Sequence, residues 1–358
     1  MIEIYLGGHM DKEKRQIFWD TLCSLNGKDI SSEMKKLSET IFYPKFIYRY
    51  RPVTEKTLDA LKNNNVYFSS AEFYDDPFDT YLRIDWNKIK QMISLLNIKS
   101  EDAYERFITS LKNNNVLTEF EQQELKTKFE KLSEEELLQF VVDVLSKRIR
   151  PLMQRNSYSI CFSQDYNNEN LWLKYADNHK GFSLVFDRDD NEALMCGKED
   201  KCKSCITNIS AKCLYPVYYS DERYDATIYA LKQLILLGIL EKLKDEKLAN
   251  KFILENPQYW ERERVSLIKH KCHEYDQEWR IILGNTPKDN ALLKWRPYGV
   301  ILGLRTIISD AKAIIIAAKE AGIKHIFCSY ITPADELDAR ELTEQEINTI
   351  IEYKDEKV

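Results

Sequence analysis

Glu278 and Arg280 are the residues whose types and spacing invite chemistry most directly. They lie two apart in the run Gln277 to Leu283, whose alternation predicts a strand, so both side chains leave one face. Trp279, Ile281 and Leu283 leave the other face, and Ile282 continues the Glu278 side, which becomes buried further along. A charge at the start of a half-buried strand needs a partner, because an unpaired buried charge is very costly. Either the two form a mutual or networked ion pair, or Glu278 is a site carboxylate oriented by Arg280 or Lys269.

Three further stretches carry candidate groups. Tyr48-Arg49-Tyr50-Arg51-Pro52 ends a predicted strand; its tyrosines suit sheet-face packing, and its arginines are edge residues or ligand contacts. Val66 to Ser70 leads through Phe73-Tyr74 to Asp75-Asp76-Pro77-Phe78-Asp79, a turn with its own capping carboxylates. Those carboxylates can also hold a divalent cation, unless Pro77 points them apart, and Asp79 can pair with an arginine. Ile160-Cys161-Phe162-Ser163 reads as a strand, followed by a helix from Glu169 to Asn178. That helix puts Trp172 and Tyr175 on one side, either as packing or as an aromatic wall against a base or nicotinamide.

Cys196, Cys202, Cys205 and Cys213 fall within eighteen residues, and Cys202-Lys203-Ser204-Cys205 is a two-residue knuckle. Four thiolates suit a closed, tetrahedral structural zinc site, and nearby lysines favour the thiolate form. The spacings do not form a standard pair of knuckles, so a loop of free thiols is the other reading. His270 and His273 are three apart, either two ligands on one helical face or an exposed pair ending a charged helix.

Positioning these groups requires a sheet. Strands are predicted near residues 42–50, 66–69, 158–163, 182–186, 214–219, 277–283, 298–302 and 324–330. Thr54 can cap a helix ending near Asn63, and Ser309 can cap one that stops at Gly322. Strands and helices do not alternate regularly until the end, which predicts a mixed α+β sheet rather than a doubly wound one. The expected organisation is a helical lead-in over 1–40, one α+β domain over 41–332, and a peripheral polar tail over 333–358. Within the domain, 86–155 reads as a helical insertion and 195–213 as a cysteine-rich loop. Gly7-Gly8-His9-Met10 looks like a cloning remnant, and the first ten residues carry no functional weight in this reading.

Bulk properties and missing motifs weigh against several classes, although local basic patches leave a nucleic-acid substrate open. The formal net charge of −6 provides no basic field to attract nucleic acid. Ten glycines are spread without a phosphate loop or a dinucleotide fingerprint. There is no nucleophile elbow, His-Glu-x-x-His pair or kinase set. No export signal and no apolar run of the ~18 residues needed to span a bilayer appears, so a cytoplasmic protein without membrane contact is expected. Its eight cysteines are then expected as thiols.

Taken in order, the blocks at Tyr48–Pro52, Val66–Asp79, Ile160–Phe182 and Lys269–Ile281 resemble a bacterial domain of unknown function, family 2971. The likeness runs from Ile47 to about Tyr330. It is broken by Asp75, by Leu173-Lys174, by the long helical insertion and by the cysteine loop. More remotely, the order of a strand-end arginine, a serine after a second strand and a glutamate opening a late strand is similar to ADP-ribosyltransferases. That resemblance implies a split, mostly antiparallel sheet with NAD in its cleft. It implies that Arg49 or Arg51, with Tyr48, holds phosphate or ribose by charge-assisted hydrogen bonds, and that Ser69 or Ser163 positions the nicotinamide ribose. It implies that Glu278, or Glu274 in its place, binds the ribose 2′-hydroxyl and steadies an oxocarbenium-like transition state. The implied function is an NAD-dependent transferase, a toxin or phage-defence effector, modifying nucleic acid or protein. Two other readings stay open: a non-catalytic sensor docking a partner through 86–155, and a metal-dependent nuclease or hydrolase using Asp75, Asp76 and Asp79.

Overall fold

The computed structural model describes residues 9–95, 133–189, 195–196, 214–283 and 292–354. Helices α1 (Lys12–Ser24) and α2 (Ile30–Ser38) begin at Asp11 and Asp29, whose carboxylates accept from Lys14 and Ser32 amides. Aromatic and β-branched residues then set β1 (Phe46–Arg51). The expected Thr54 cap starts α3 (Glu55–Lys62), with Thr57 closing the reciprocal bond. Short strands β2 (Asn65–Tyr67) and β3 (Ser69–Ser70) lead to the helical region. Its described part is α4 (Trp86–Leu95), α5 (Glu134–Val144), a π-type turn at Leu145–Ile149 and α6 (Arg150–Arg155).

Next come β4 (Tyr158–Ser163), α7 (Glu169–Tyr175), β5 (Phe182–Asp187), β6 (Met195–Cys196), β7 (Leu214–Pro216) and β8 (Tyr218–Ser220). Helices α8 (Thr227–Gly238), α9 (Glu246–Glu255) and α10 (Glu261–Ser266) precede β9 (Ile268–His270) and β10 (Glu278–Leu283). The chain finishes with β11 (Leu292–Lys294), β12 (Gly299–Leu302), α11 (Ile308–Glu320), β13 (His325–Ile331), β14 (Leu337–Glu341) and α12 (Glu344–Glu352).

The main sheet runs β14-β13-β12-β5-β1-β4-β10-β7, with β3 also on β4. Among the described pairings of this sheet only β12 and β13 are parallel, joined through α11; outside it β8 and β9 also pair in parallel, so the fold is mixed, mostly antiparallel α+β as expected. One neighbouring pair is incomplete. β1 pairs with β5 at six positions and β4 with β10 at six, yet β1 and β4 share only Tyr48 opposite Ser163. β3 takes up the far stretch of β4, placing Ser69 opposite Ser159. The sheet therefore opens between β1 and β4.

Apolar side chains cover one face of both halves of the sheet and the opposite face of the β1 half. On one face Ile47, Phe162, Phe186, Trp279, Ile281 and Val300 join a core with Phe18 of α1, Leu61 of α3 and Ile314 of α11. On the other, Tyr48, Tyr50, Val185 and Ile301 pack on Leu171 and Trp172 of α7. Asp177, Asn178 and His179 all take positive φ, which reverses the chain from α7 into β5. Gly181 completes that turn at the end of β1. A Cβ there would lie 2.1 Å from the Arg51 carbonyl oxygen, so only glycine permits the approach.

Three sequence expectations are revised. Residues 333–358 are not a peripheral tail throughout: β14 pairs with β13 at five positions and α12 buries Ile347. Charge there marks a sheet edge, where it discourages pairing with other chains. Met10 is fully buried, and its carbonyl accepts from Arg15 Nε at 3.0 Å, so the end of the first ten residues belongs to the core. Helix α11 begins at Ile308 rather than after Ser309, although Gly322, at φ 75°, does follow its end. Of the cysteine cluster, Cys202, Cys205 and Cys213 lie outside the described residues, and Cys196 is described only as backbone of β6. Residues 96–132 of the predicted insertion lie outside them as well.

Replacing Gly181 with alanine is expected to cost about 1–3 kcal/mol, because Arg51 or the turn must move to admit the methyl group. A shift of the urea midpoint at constant slope measures it.

Candidate functional site: a cavity in the split sheet

A cavity of about 470 Å³ fills the opening between β1 and β4, walled by β10, α7 and the turn at Asp75–Asp79. Tyr48, Arg49 and Arg51 border it from β1; Ser69, Ser163, Tyr175, Glu278 and Arg280 border it from the other elements. Most candidates for holding NAD are thus brought together, whereas Glu274, offered in place of Glu278, and Trp172 do not border the cavity. Trp172 is completely buried under β1, its indole N–H donating to the Tyr166 carbonyl at 2.9 Å and its face stacked on His179. It is packing, because the short helix α7 turns that side toward Tyr50.

One wall is a buried charge network. Arg280, 1% exposed, grips both Asp79 oxygens at 2.7 and 2.6 Å, donates through Nε to Glu278 Oε1 at 2.6 Å, and reaches the Ser266 carbonyl at 2.7 Å. The bidentate fork fixes geometry as well as charge. Lys269 of β9 bonds Glu278 Oε2 at 3.0 Å and Asp276 Oδ2 at 2.9 Å, with Asp79 Oδ2 at 3.7 Å. Burial pushes the Glu278 carboxyl up, but Arg280 and Lys269 outweigh it and hold the group well below the carboxylate range. Burial likewise acts to lower Lys269, and Glu278 and Asp79 more than reverse it. With all five groups ionised, three carboxylates face two cations, an excess of one negative charge.

The β1 wall has the opposite polarity. Arg49 donates to the Tyr67 carbonyl at 3.1 Å; among the described residues neither Arg49 nor Arg51 forms an ion pair. Burial pulls the Arg51 guanidinium down to about 10. Burial, and then the charge of Arg51, pull Arg49 well below its ordinary value. Two desolvated cations that disfavour each other are a ready anion site.

The remaining candidates differ in freedom. Ser163 Oγ donates to the Asp276 carbonyl at 2.9 Å, which ties β4 to the start of β10. Ser69 Oγ has only a 3.5 Å contact with its neighbour's carbonyl. Tyr175 sits at the mouth beside Lys174, which contacts Asp75 at 3.6 Å. His270 accepts from the Cys272 amide, and His273 instead faces Asp76 at 3.4 Å and Asp276 at 3.9 Å, so the two do not form a pair of ligands. Tyr74, Cys161 and Asp276 also border the cavity and were not singled out in the sequence. Tyr74 hydroxyl shares a 2.5 Å hydrogen bond with Ser159, and burial pushes the Cys161 thiol up to about 12. Asp276 had one available signal, its position two residues before Glu278. Gln277 at φ 44° breaks the strand geometry that would have made that spacing readable.

Glu278→Gln is expected to cost about 3–5 kcal/mol at pH 7, since it leaves Lys269 and Arg280 short of a charge. Glu278 has a depressed folded value, so its contribution is complete above the unfolded value of about 4.3 and is lost as pH falls below it. The gap between wild type and variant should therefore shrink in denaturation at about pH 3. A gap that widens toward acid contradicts the assignment.

No curated protein and no solved structure matches the chain. A family model described as a protein of unknown function, DUF2971, matches residues 171–281, a span that runs from α7 to β10 and so includes Tyr175, Lys269, Asp276, Glu278 and Arg280 of the cavity wall.

Proposed function

We propose that the cavity binds NAD and that the protein transfers the ADP-ribosyl group to a macromolecular acceptor. The observation that carries this reading is the pair Arg49 and Arg51, two guanidinium groups bordering one cavity without an ion-pair partner among the described residues. Half-buried cations of one sign favour an anion that returns hydrogen bonds to both, and a pyrophosphate has the oxygens to do so. NAD also matches the polarity of the cavity from end to end. Its pyrophosphate suits the β1 wall, and its cationic nicotinamide ribose suits the wall with excess negative charge. The volume falls within the roughly 300–1,000 Å³ of small-molecule sites.

In the reaction the bond between ribose C1′ and nicotinamide nitrogen breaks, and nicotinamide leaves with the electron pair. An acceptor oxygen or nitrogen bonds to C1′ and gives its proton to solvent. As nicotinamide leaves neutral, its positive charge passes to the ribose, so the transition state is oxocarbenium-like and a fixed negative field beside C1′ lowers its energy relative to the same heterolysis in water. Glu278, held ionised by Arg280 and Lys269, supplies part of that field. The geometry favours this reading over a metal-dependent hydrolase, because Asp79 is already occupied by Arg280 and Asp76 by the Phe78 amide and His273.

The test is incubation with labelled NAD plus RNA, DNA or cell lysate, with nicotinamide release as readout. Arg51→Gln is expected to reduce release at least about tenfold, the loss of one charge-assisted contact, while leaving the melting temperature within a few degrees. No release, together with no change in melting temperature on adding NAD, sinks the transferase and leaves a binding module.

A further inference from the structure

Glu278 and Asp276 both border the cavity, but they are not equally free to meet a ligand. Each Glu278 oxygen already accepts a charge-assisted bond, one from Arg280 and one from Lys269. Asp276 spends Oδ2 on Lys269, and its Oδ1 has no hydrogen-bond partner although the residue is only 4% exposed. A buried carboxylate oxygen without a donor is costly to keep, and such groups in native structures need an explanation. The neighbouring His273 does not supply one: it approaches Oδ2, at 3.9 Å, and its own Nδ1 is also without a bond.

We infer that Asp276, rather than Glu278, is the carboxylate that contacts the ligand, its Oδ1 accepting a hydrogen bond from a sugar hydroxyl. This rests on the reading of the cavity as a nucleotide site. A hydroxyl is the matching donor because, with the pyrophosphate on Arg49 and Arg51, the nicotinamide ribose meets the carboxylate wall, and the donors of that ribose are hydroxyls. The two carboxylates then divide the work. Glu278 is pinned by two cations and poor as a hydrogen-bond acceptor, whereas burial raises Asp276 above its ordinary value, which makes it the better acceptor. Ser163, donating to the Asp276 main-chain carbonyl, holds the backbone, and Lys269 holds the carboxylate through Oδ2.

The experiment compares three probes by calorimetry: inorganic pyrophosphate, ADP-ribose, and an ADP-ribose analogue whose distal sugar lacks its secondary hydroxyls. Wild type is expected to bind ADP-ribose about tenfold more tightly than the analogue, the difference made by one hydrogen bond to a charged group. Asp276→Asn is expected to erase that preference and to bind pyrophosphate as wild type does. Equal binding of ADP-ribose and analogue by wild type overturns the inference, and this holds even where the variant fails to fold. A variant that still discriminates, or that loses pyrophosphate as well, also overturns it by making Asp276 a purely structural member of the network. Failure of wild type to bind pyrophosphate is the distinct outcome that removes the phosphate site itself, and the inference with it.

Discussion

Arg280 cannot be taken out of water without company, and the shape of the site follows from the company it keeps. Its guanidinium reaches Asp79 in the turn after β3, Glu278 on its own strand and the Ser266 carbonyl at the end of α10. Asp79 is 201 residues away in sequence, so this fork ties a remote turn to β10, and Gln154 Nε2 holds the same turn by donating to the Pro77 and Asp79 carbonyls. Fixing Asp79 fixes Asp75 and Asp76, and these border the cavity mouth. Buried ion pairs are often no more stabilising than apolar groups of the same shape. What this one does is choose one arrangement of turn, strand and helix.

The second consequence is electrical. Lys269 and Arg280 do not quite neutralise Asp79, Asp276 and Glu278, and the residual charge is held in a wall that faces Arg49 and Arg51 across the split. A complete sheet would have no room for such an opposition, because β1 and β4 would be hydrogen-bonded throughout. The single pairing of Tyr48 with Ser163 keeps the strands joined at one point and parted beyond it. Gly181 and the left-handed turn before it then close the far end, by packing against the Arg51 carbonyl.

How much of this was legible depended on whether a local rule governed it. The alternation in β10 put Glu278 and Arg280 on one face, and they do bond each other. Thr54 and Gly322 punctuate helices where their chemistry says they should. Tyr48, Arg49 and Arg51 read as a strand end, and they border the cavity because that strand loses its neighbour. Tertiary packing overrode the reading elsewhere. Trp172 could face either way on a seven-residue helix, and the tyrosines of β1 claimed it. The charge of β14 disguised a strand as a tail, since an edge strand is polar for reasons that have nothing to do with the core. Arg15, which bonds the carbonyls of Val217 and Glu278 from the far end of the chain, carries no signal that it belongs to the sheet.

Backbone strain sits on both sides of the network. Thr80 follows Asp79 with φ 52°, and Gln277 separates Asp276 from Glu278 with φ 44°. Left-handed conformations of this kind cost non-glycine residues on the order of 1–3 kcal/mol, and persist where surrounding contacts over-determine them. Here the contacts are named: Thr80 donates to Asp79 Oδ1 at 3.1 Å, and Lys269 draws Asp276 and Glu278 to one ammonium group. In a regular strand, residues two apart have side chains that run parallel. The reversal at Gln277 lets both carboxylates converge on Lys269 while one Asp276 oxygen stays unbonded at the cavity wall. Relaxing the turn would recover backbone energy and lose that convergence, so the local stability of this segment and the geometry of the site are opposed.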